Sequence, residues 1–165
     1  MRLKYFIPVR HGDYGYEIAR SGLTELGIAQ SNALAKELAT IVDEMDVVIL
    51  TSYVTRAKQT ATYIGTQLGI FPTECRPLYE EPPRGLRGGD YPETMQIIEQ
   101  YLETTDVLIL VTHLEPAEEL PNIFLKKYLG SKEQIGGCVD KGCGNIVDCK
   151  KITVSSIRPK IYRPK

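Results

Sequence analysis

Tyr5-Phe6-Ile7-Pro8-Val9-Arg10-His11-Gly12 is a short apolar run that stops at an arginine, a histidine and a glycine. A run of this length bounded by a breaker predicts a buried strand. Residues just past the carboxyl end of a strand are where open α/β sheets bind ligands. The chain has 2 histidines, and the second stands in the same context: Val107-Leu108-Ile109-Leu110-Val111-Thr112 leads into His113. Two strand ends that each hand a histidine to one edge of a sheet mark that edge as the candidate site.

A third apolar run, Asp46 to Thr51, has the continuous character of a parallel strand covered on both faces. Between the first two strands, Thr24 caps a predicted helix, Glu25 suits its positive end, and Leu26, Ala29, Ala33, Leu34 and Leu38 supply an apolar stripe. Beyond the second strand, Val54 to Leu68 predicts another helix, with Ala57, Ala61, Ile64 and Leu68 inward and Gly69 as its stop. Arg56 falls in its first turn, close to the carboxyl end of the strand before it.

Thr73 to Tyr79 predicts a short strand or extended connector. Glu80 to Pro92 is too rich in proline and glycine for helix or central strand and reads as a loop over the site. A helix from about Glu93 to Leu102 follows. After His113, Glu115-Pro116 opens a helix running to about Leu129, with proline at the first helical position. The free N–H groups of that helix start lie beside His113 and suit an anion. Residues 145–149 and 151–157 predict a final hairpin, and Arg158-Pro159-Lys160 echoes in Arg163-Pro164-Lys165 as a basic tail. Strands alternating with helices predict a three-layer α/β/α sandwich with a mostly parallel central sheet. One domain over residues 1–157 and a tail over 158–165 accommodate the pattern.

The 165 residues, 42% hydrophobic and 25% charged, are those of an ordinary globular chain and exclude a disordered or fibrous one. A net charge of -1 gives no global field for nucleic acid or an anionic membrane, so anion affinity must come from clustered arginines. No apolar run reaches the roughly 18 residues of a spanning helix, and the start of the chain lacks a signal-peptide core, so a cytoplasmic protein is expected. Cys75, Cys138, Cys143 and Cys149 lack zinc-site spacing and read as reduced thiols.

Under this topology Arg10, His11, Arg56 and His113 come from three strand ends on one edge. Two arginines beside two histidines describe a pocket for a dianion, because the guanidinium fork matches phosphate oxygens and stays charged. A neutral imidazole can also act as a nucleophile toward phosphorus. A Rossmann-type nucleotide site is excluded, since no Gly-x-Gly-x-x-Gly follows the first strand.

Four ordered blocks carry a resemblance: Arg10-His11-Gly12, Leu23-Thr24-x-x-Gly27-x-x-Gln30, Ser52-x-x-x-Arg56-Ala57-x-Gln59-Thr60 and Val111-Thr112-His113. Together they resemble the histidine phosphatase superfamily, also called the phosphoglycerate mutase-like family, over residues 3 to about 130. The resemblance implies that His11 is phosphorylated and then hydrolysed, that Arg10, Arg56 and His113 bind the phosphoryl group, and that neither metal nor cofactor is needed. It also implies a carboxylic acid for ester substrates, which both Glu80 (Leu78-Tyr79-Glu80) and Glu81 (Glu81-Pro82-Pro83-Arg84-Gly85) fit. Arg84 and Arg87 are candidate substrate-loop residues.

Arg-His-Gly-Asp and Thr-His-Leu, in a short chain, look like the small phosphohistidine phosphatases. With 11 residues between Gly12 and Thr24, the site has little cover. The expected activity is removal of a phosphoryl group from phosphohistidine in a protein or from a small phosphate monoester. A non-catalytic phosphate-dependent binding module is the alternative. A mutase is the least favoured reading, because it needs a lid that excludes water.

Overall fold

The computed structural model describes residues 1–16, 22–81, 89–132 and 139–161. Six strands form one sheet: β1 (Tyr5–Arg10), β2 (Val47–Thr51), β3 (Thr73–Glu74), β4 (Val107–Thr112), β5 (Gly144–Asp148) and β6 (Thr153–Ile157). Their order is β3-β2-β4-β1-β5-β6. The first four run parallel, while β5 and β6 add as an antiparallel hairpin on the β1 side. The mostly parallel sheet covered by helices on both faces is the α/β/α sandwich that the sequence predicts.

The continuous apolar runs are explained by burial on both faces. Phe6, Leu50, Leu108, Leu110 and Val147 point to one side, where they meet Leu78, Met95, Ile98, Leu120, Phe124 and Leu125. Ile7, Val9, Ile49, Val107, Ile109 and Val111 point to the other, against Leu34, Leu38, Ala57, Ala61 and Ile64. Each such fully buried aliphatic side chain contributes about 1.5–3 kcal/mol. The second layer is built by α1 (Glu25–Ile41) and α2 (Thr55–Leu68); the first by α3 (Pro77–Glu80), α4 (Pro92–Glu99) and α5 (Leu114–Tyr128).

This division places the site. The connections leaving β1 and β2 run over the α1–α2 face, whereas those leading to and from β4 run over the opposite face. β1 and β4 are neighbours, so the direction of winding reverses between them. That reversal opens a crevice at the carboxyl ends of the two strands, where His11 and His113 stand.

Several boundaries differ from the sequence reading. Thr73 to Tyr79 is not one extended segment: after β3 the chain turns into α3, buried at Pro77 and Leu78, where the Leu78 carbonyl accepts from Thr112 Oγ1 at 2.9 Å. Four residues carry no helical period, which is why the turn was not legible. α4 ends at Glu99, and residues 101–104 are turns. Pro116 is the third residue of α5, not the first, because His113 itself is the N-cap. The buried face of α1 is Gly27, Ser31, Leu34, Ala35 and Leu38, and Ala29 is exposed. Small residues on that face hid its phase.

β1 carries an oddity. Pro8 lies in an inner strand, where it has no N–H to give a neighbour. Along β1 and β5 the paired residues are Tyr5 with Asp148, Phe6 with Val147 and Val9 with Gly144, passing over Ile7 and Pro8. The parallel register with β4 continues through Pro8 opposite Leu110.

Candidate active site

His11 leaves β1 buried, with 3% of its surface exposed. Its Nδ1 lies 2.8 Å from the Gly12 carbonyl. A carbonyl only accepts, so Nδ1 carries the proton and Nε2 bears a lone pair. Arg56 Nε donates to that lone pair at 3.0 Å. The His11 pKa is held down at about 3, first by burial and then by the charges of Arg56, Arg10 and Lys141, against the opposing pull of the Gly12 carbonyl. His11 is therefore a neutral imidazole at physiological pH, with its nucleophilic nitrogen turned toward a guanidinium.

The first motif block is held by the next two. Gly12 N donates to Thr60 Oγ1 (3.1 Å), Asp13 N to Gln30 Oε1 (2.7 Å), and Leu23 N to Gln59 Oε1 (2.7 Å). Thr24 caps α1 by accepting from Gly27 N at 3.1 Å. Its hydroxyl in turn donates to Asp13 Oδ2 at 2.7 Å. A Cβ on Gly12 would strike the Gly27 carbonyl, and one on Gly27 would strike the Asp13 carbonyl. Glycine at both positions lets α1 start directly against the loop that carries His11.

His113 comes off β4 with 8% of its surface exposed. Its ring lies 5.1 Å from that of His11. Its Nδ1 is 3.4 Å from Arg56 Nη2, and its Nε2 is 2.9 Å from Ser52 Oγ. A guanidinium only donates, so Nδ1 accepts and Nε2–H points to the Ser52 hydroxyl. Ser52, at the end of β2, thus sets the tilt of the second histidine, and Arg56 bridges both rings. Arg10 uses Nη1 on the Val139 carbonyl at 3.0 Å, while its buried Nε has no partner among the described residues. His11, Arg56 and His113 are brought into contact, and Arg10 adds its charge at His11.

The carboxylates are placed elsewhere. Glu80, at the end of α3, pairs with Arg76 at 3.0 Å on the exposed surface. Glu81 accepts from Glu93 N (3.0 Å) and Thr94 N (2.8 Å), which caps α4. Neither bonds to a histidine or to Arg56. Glu115 stands half-buried in the first turn of α5. The expectations for Arg84 and Arg87, and most of the loop expected over the site, fall outside the described residues.

Four contributors were missed. Ser52 has no sequence signal beyond its place in a motif. Lys141, in the turn before β5, pairs with Asp13 at 2.6 Å, an interaction that lowers the Asp13 pKa and raises its own. Tyr14 sets its edge toward His11 at 5.2 Å and carries Arg56 on its ring at 4.4 Å. Tyr79 packs 4.9 Å from His113. The nearest sequence signal was the abundance of tyrosine, 10 residues against 3 phenylalanines, and it does not say where they gather.

A family profile of the histidine phosphatase superfamily (branch 1) matches residues 6–117. The chain belongs to that superfamily. Membership of that superfamily supports an enzyme with phosphatase-type chemistry in general. The fold is shared at low identity with an Agrobacterium tumefaciens protein assigned as the phosphohistidine phosphatase SixA (TM-score 0.64, 17% identity, 94% of this chain and 98% of that one). It is shared equally with a mycobacterial glucosyl-3-phosphoglycerate phosphatase (0.65, 15%, 96% and 98%). A Plasmodium falciparum phosphoglycerate mutase aligns less closely (0.56, 19%, 94% and 89%). No curated protein sequence matches the chain.

The Cys75, Cys143 and Cys149 thiols are free. Among the described residues no helix is long and apolar enough to cross a membrane.

Proposed function

We propose that this member of the histidine phosphatase superfamily hydrolyses a phosphoryl group through a phosphohistidine intermediate on His11. The observation that carries the reading is the bond from Arg56 Nε to the His11 Nε2 lone pair, because it requires an unprotonated nucleophilic nitrogen beside a fixed cation. In the first step Nε2 attacks phosphorus. An N–P bond forms as the bond to the leaving group breaks, and the leaving atom takes the electron pair and then a proton from solvent water. In the second step a water oxygen attacks phosphorus and releases a proton to solvent, the N–P pair returns to Nε2, and inorganic phosphate departs.

Arg56, Arg10 and His113 hold the phosphoryl oxygens in this reading, and the first-turn N–H groups of α5 add partial positive charge beside them. These groups supply the charge that a metal ion otherwise would. One domain over residues 1–157 carries the activity, and free thiols suit a cytoplasmic setting. With Glu80 and Glu81 engaged at other partners, the favoured substrates are those whose leaving group needs little help from an acid: phosphohistidine in a protein, or an activated small phosphate monoester.

The test is phosphate release from phenyl phosphate and from a phosphohistidine peptide, with His11→Ala alongside. Turnover of either substrate, lost in His11→Ala together with an acid-labile phosphoenzyme, is expected. Unchanged turnover in His11→Ala overturns the reading, and so does wild-type binding of phosphate without turnover of either substrate.

A further inference from the structure

Six rings run without a break across the crevice. Tyr16 packs 5.2 Å from Tyr14, Tyr14 5.2 Å from His11, and His11 5.1 Å from His113. His113 in turn lies 4.9 Å from Tyr79, which lies 5.5 Å from Tyr53. All five spacings fall in the range of favourable aromatic pairs. The two histidines at the centre are buried. The tyrosines on either side are not: Tyr14, Tyr53 and Tyr79 are half-buried, and Tyr16 is 81% exposed.

Both ends of this belt are braced. Lys141 Nζ sits 4.8 Å from the Tyr14 ring centre and 5.7 Å from that of Tyr16, tied down by Asp13. Arg76 sits 5.2 Å from the Tyr53 ring centre, tied down by Glu80. Each cation is fixed by its own carboxylate, and each lies against the face of a ring. Tyr91, by contrast, is a tyrosine used for packing, 1% exposed and bonded through its hydroxyl to Glu119. Rings that meet water beside a buried nucleophile leave apolar area for an incoming group to cover.

Resting on the reading of His11 as the phosphoryl acceptor, we propose that Tyr14 and Tyr79 make the site select a phosphoryl group borne on a planar ring over one borne on an aliphatic alcohol. A ring attached to a phosphoryl group at His11 is flanked by Tyr14 on the β1 side and by Tyr79 on the β4 side. Imidazole and phenol carriers share this shape, and the substrates of the test separate them.

The experiment compares kcat/KM for phosphoimidazole, phenyl phosphate and glycerol 3-phosphate in the wild type and in Tyr14→Leu, Tyr79→Leu, Tyr14→Phe and Tyr79→Phe. Phenolate and imidazole leave more readily than an alkoxide in any enzyme, so the change of the ring-to-aliphatic ratio on mutation is the readout. That ratio is unaffected by partial unfolding. Leucine at either position is expected to lower it about two- to tenfold, the worth of an aromatic pair, and phenylalanine to restore it. A loss for phenyl phosphate alone assigns the rim to phenols, and a loss for phosphoimidazole alone assigns it to imidazoles. An unchanged ratio in both leucine variants overturns the proposal. Binding of phenylphosphonate against propylphosphonate, followed by calorimetry, reads the same preference without turnover. A protein that hydrolyses nothing but prefers phenylphosphonate refutes the catalytic reading and keeps the ring preference; equal affinities refute the ring preference.

Discussion

The guanidinium of Arg56 donates through Nε to the nucleophilic nitrogen of His11 at 3.0 Å, while its Nη2 lies 3.4 Å from His113. One side chain thus rests on the His11 Nε2 lone pair and reaches the second histidine from the same plane. In the proposed reaction, a phosphoryl group arriving at Nε2 replaces the first of these bonds with bonds from Arg56 to its own oxygens. Lysine keeps the charge and loses the fork. Arg56→Lys is expected to lower kcat by about 100-fold or more, the cost of removing an oriented donor from a transition state. Steady-state kinetics on phenyl phosphate checks it, with circular dichroism to confirm folding.

The neutral state of His11 has a thermodynamic signature. Its folded pKa, about 3, lies below the ordinary histidine value of 6.5 chiefly through burial. Between these values the unfolded chain binds a proton that the folded one does not. This contribution to stability is complete above 6.5 and is lost as the pH falls toward 3. His11→Asn is expected to flatten the fall in melting temperature across that window. An NMR titration should find the wild-type His11 ring unprotonated at pH 5.

Ser52 orients His113 through a bond of 2.9 Å, and its hydroxyl also accepts from Val54 N at 3.2 Å. Ser52→Ala removes both. A stability loss of about 1–3 kcal/mol is expected from the buried donors left unpaired. Turnover per folded molecule should also fall, because His113 keeps its place but loses its tilt. Denaturant melts and kinetics on one preparation separate the two effects.

Glu81 and Glu80 should respond differently. Glu81→Ala strips two backbone N–H groups at the start of α4 of their acceptor and is expected to cost about 0.5–2 kcal/mol, as for other helix caps. Glu80→Ala breaks an exposed i,i+4 pair and should cost less than about 1 kcal/mol. Neither should alter phosphohistidine turnover per folded molecule by more than a small factor. Urea denaturation with a parallel activity assay checks both.

Gly27→Ala tests the contact between α1 and the His11 loop. A methyl group there strikes the Asp13 carbonyl, and relief requires the helix or the loop to move. A loss of about 1–3 kcal/mol is expected, as for other overpacked positions, with a larger fractional loss of activity because the loop that moves carries His11. Thermal melts and kcat measurements report it.

The parts legible from sequence were those with a period or a boundary residue. β1, β2 and β4 showed themselves because strands covered on both faces need unbroken apolar runs, and α1 because Thr24 announces its start. The histidines were legible because each stands one step past such a run, and Arg56 because it falls in the first turn of the helix that follows β2. Glu80 and Glu81 fitted the family spacing equally well, and only the folded chain shows Arg76 one turn before Glu80 and the start of α4 against Glu81. Tyr14, Tyr79 and Lys141 were not legible: they reach the site from a loop, a four-residue helix and a turn, none of which has a period to read. Lys141 lies 128 residues from the aspartate it pairs with, and no local pattern links the two.

Pro8 has a consequence for motion. It leaves the junction between β1 and β5 with a missing rung, while the β1–β4 register stays whole. Amides of β5 and β6 should therefore exchange with deuterium before those of β4, the hairpin opening as its own cooperative unit. Gly142, just ahead of that hairpin, gives its N–H to the carbonyls of Arg10 (3.1 Å) and His11 (3.0 Å). A hairpin that swings away takes this clasp with it, so His11 loses its footing while the parallel half of the sheet is still folded.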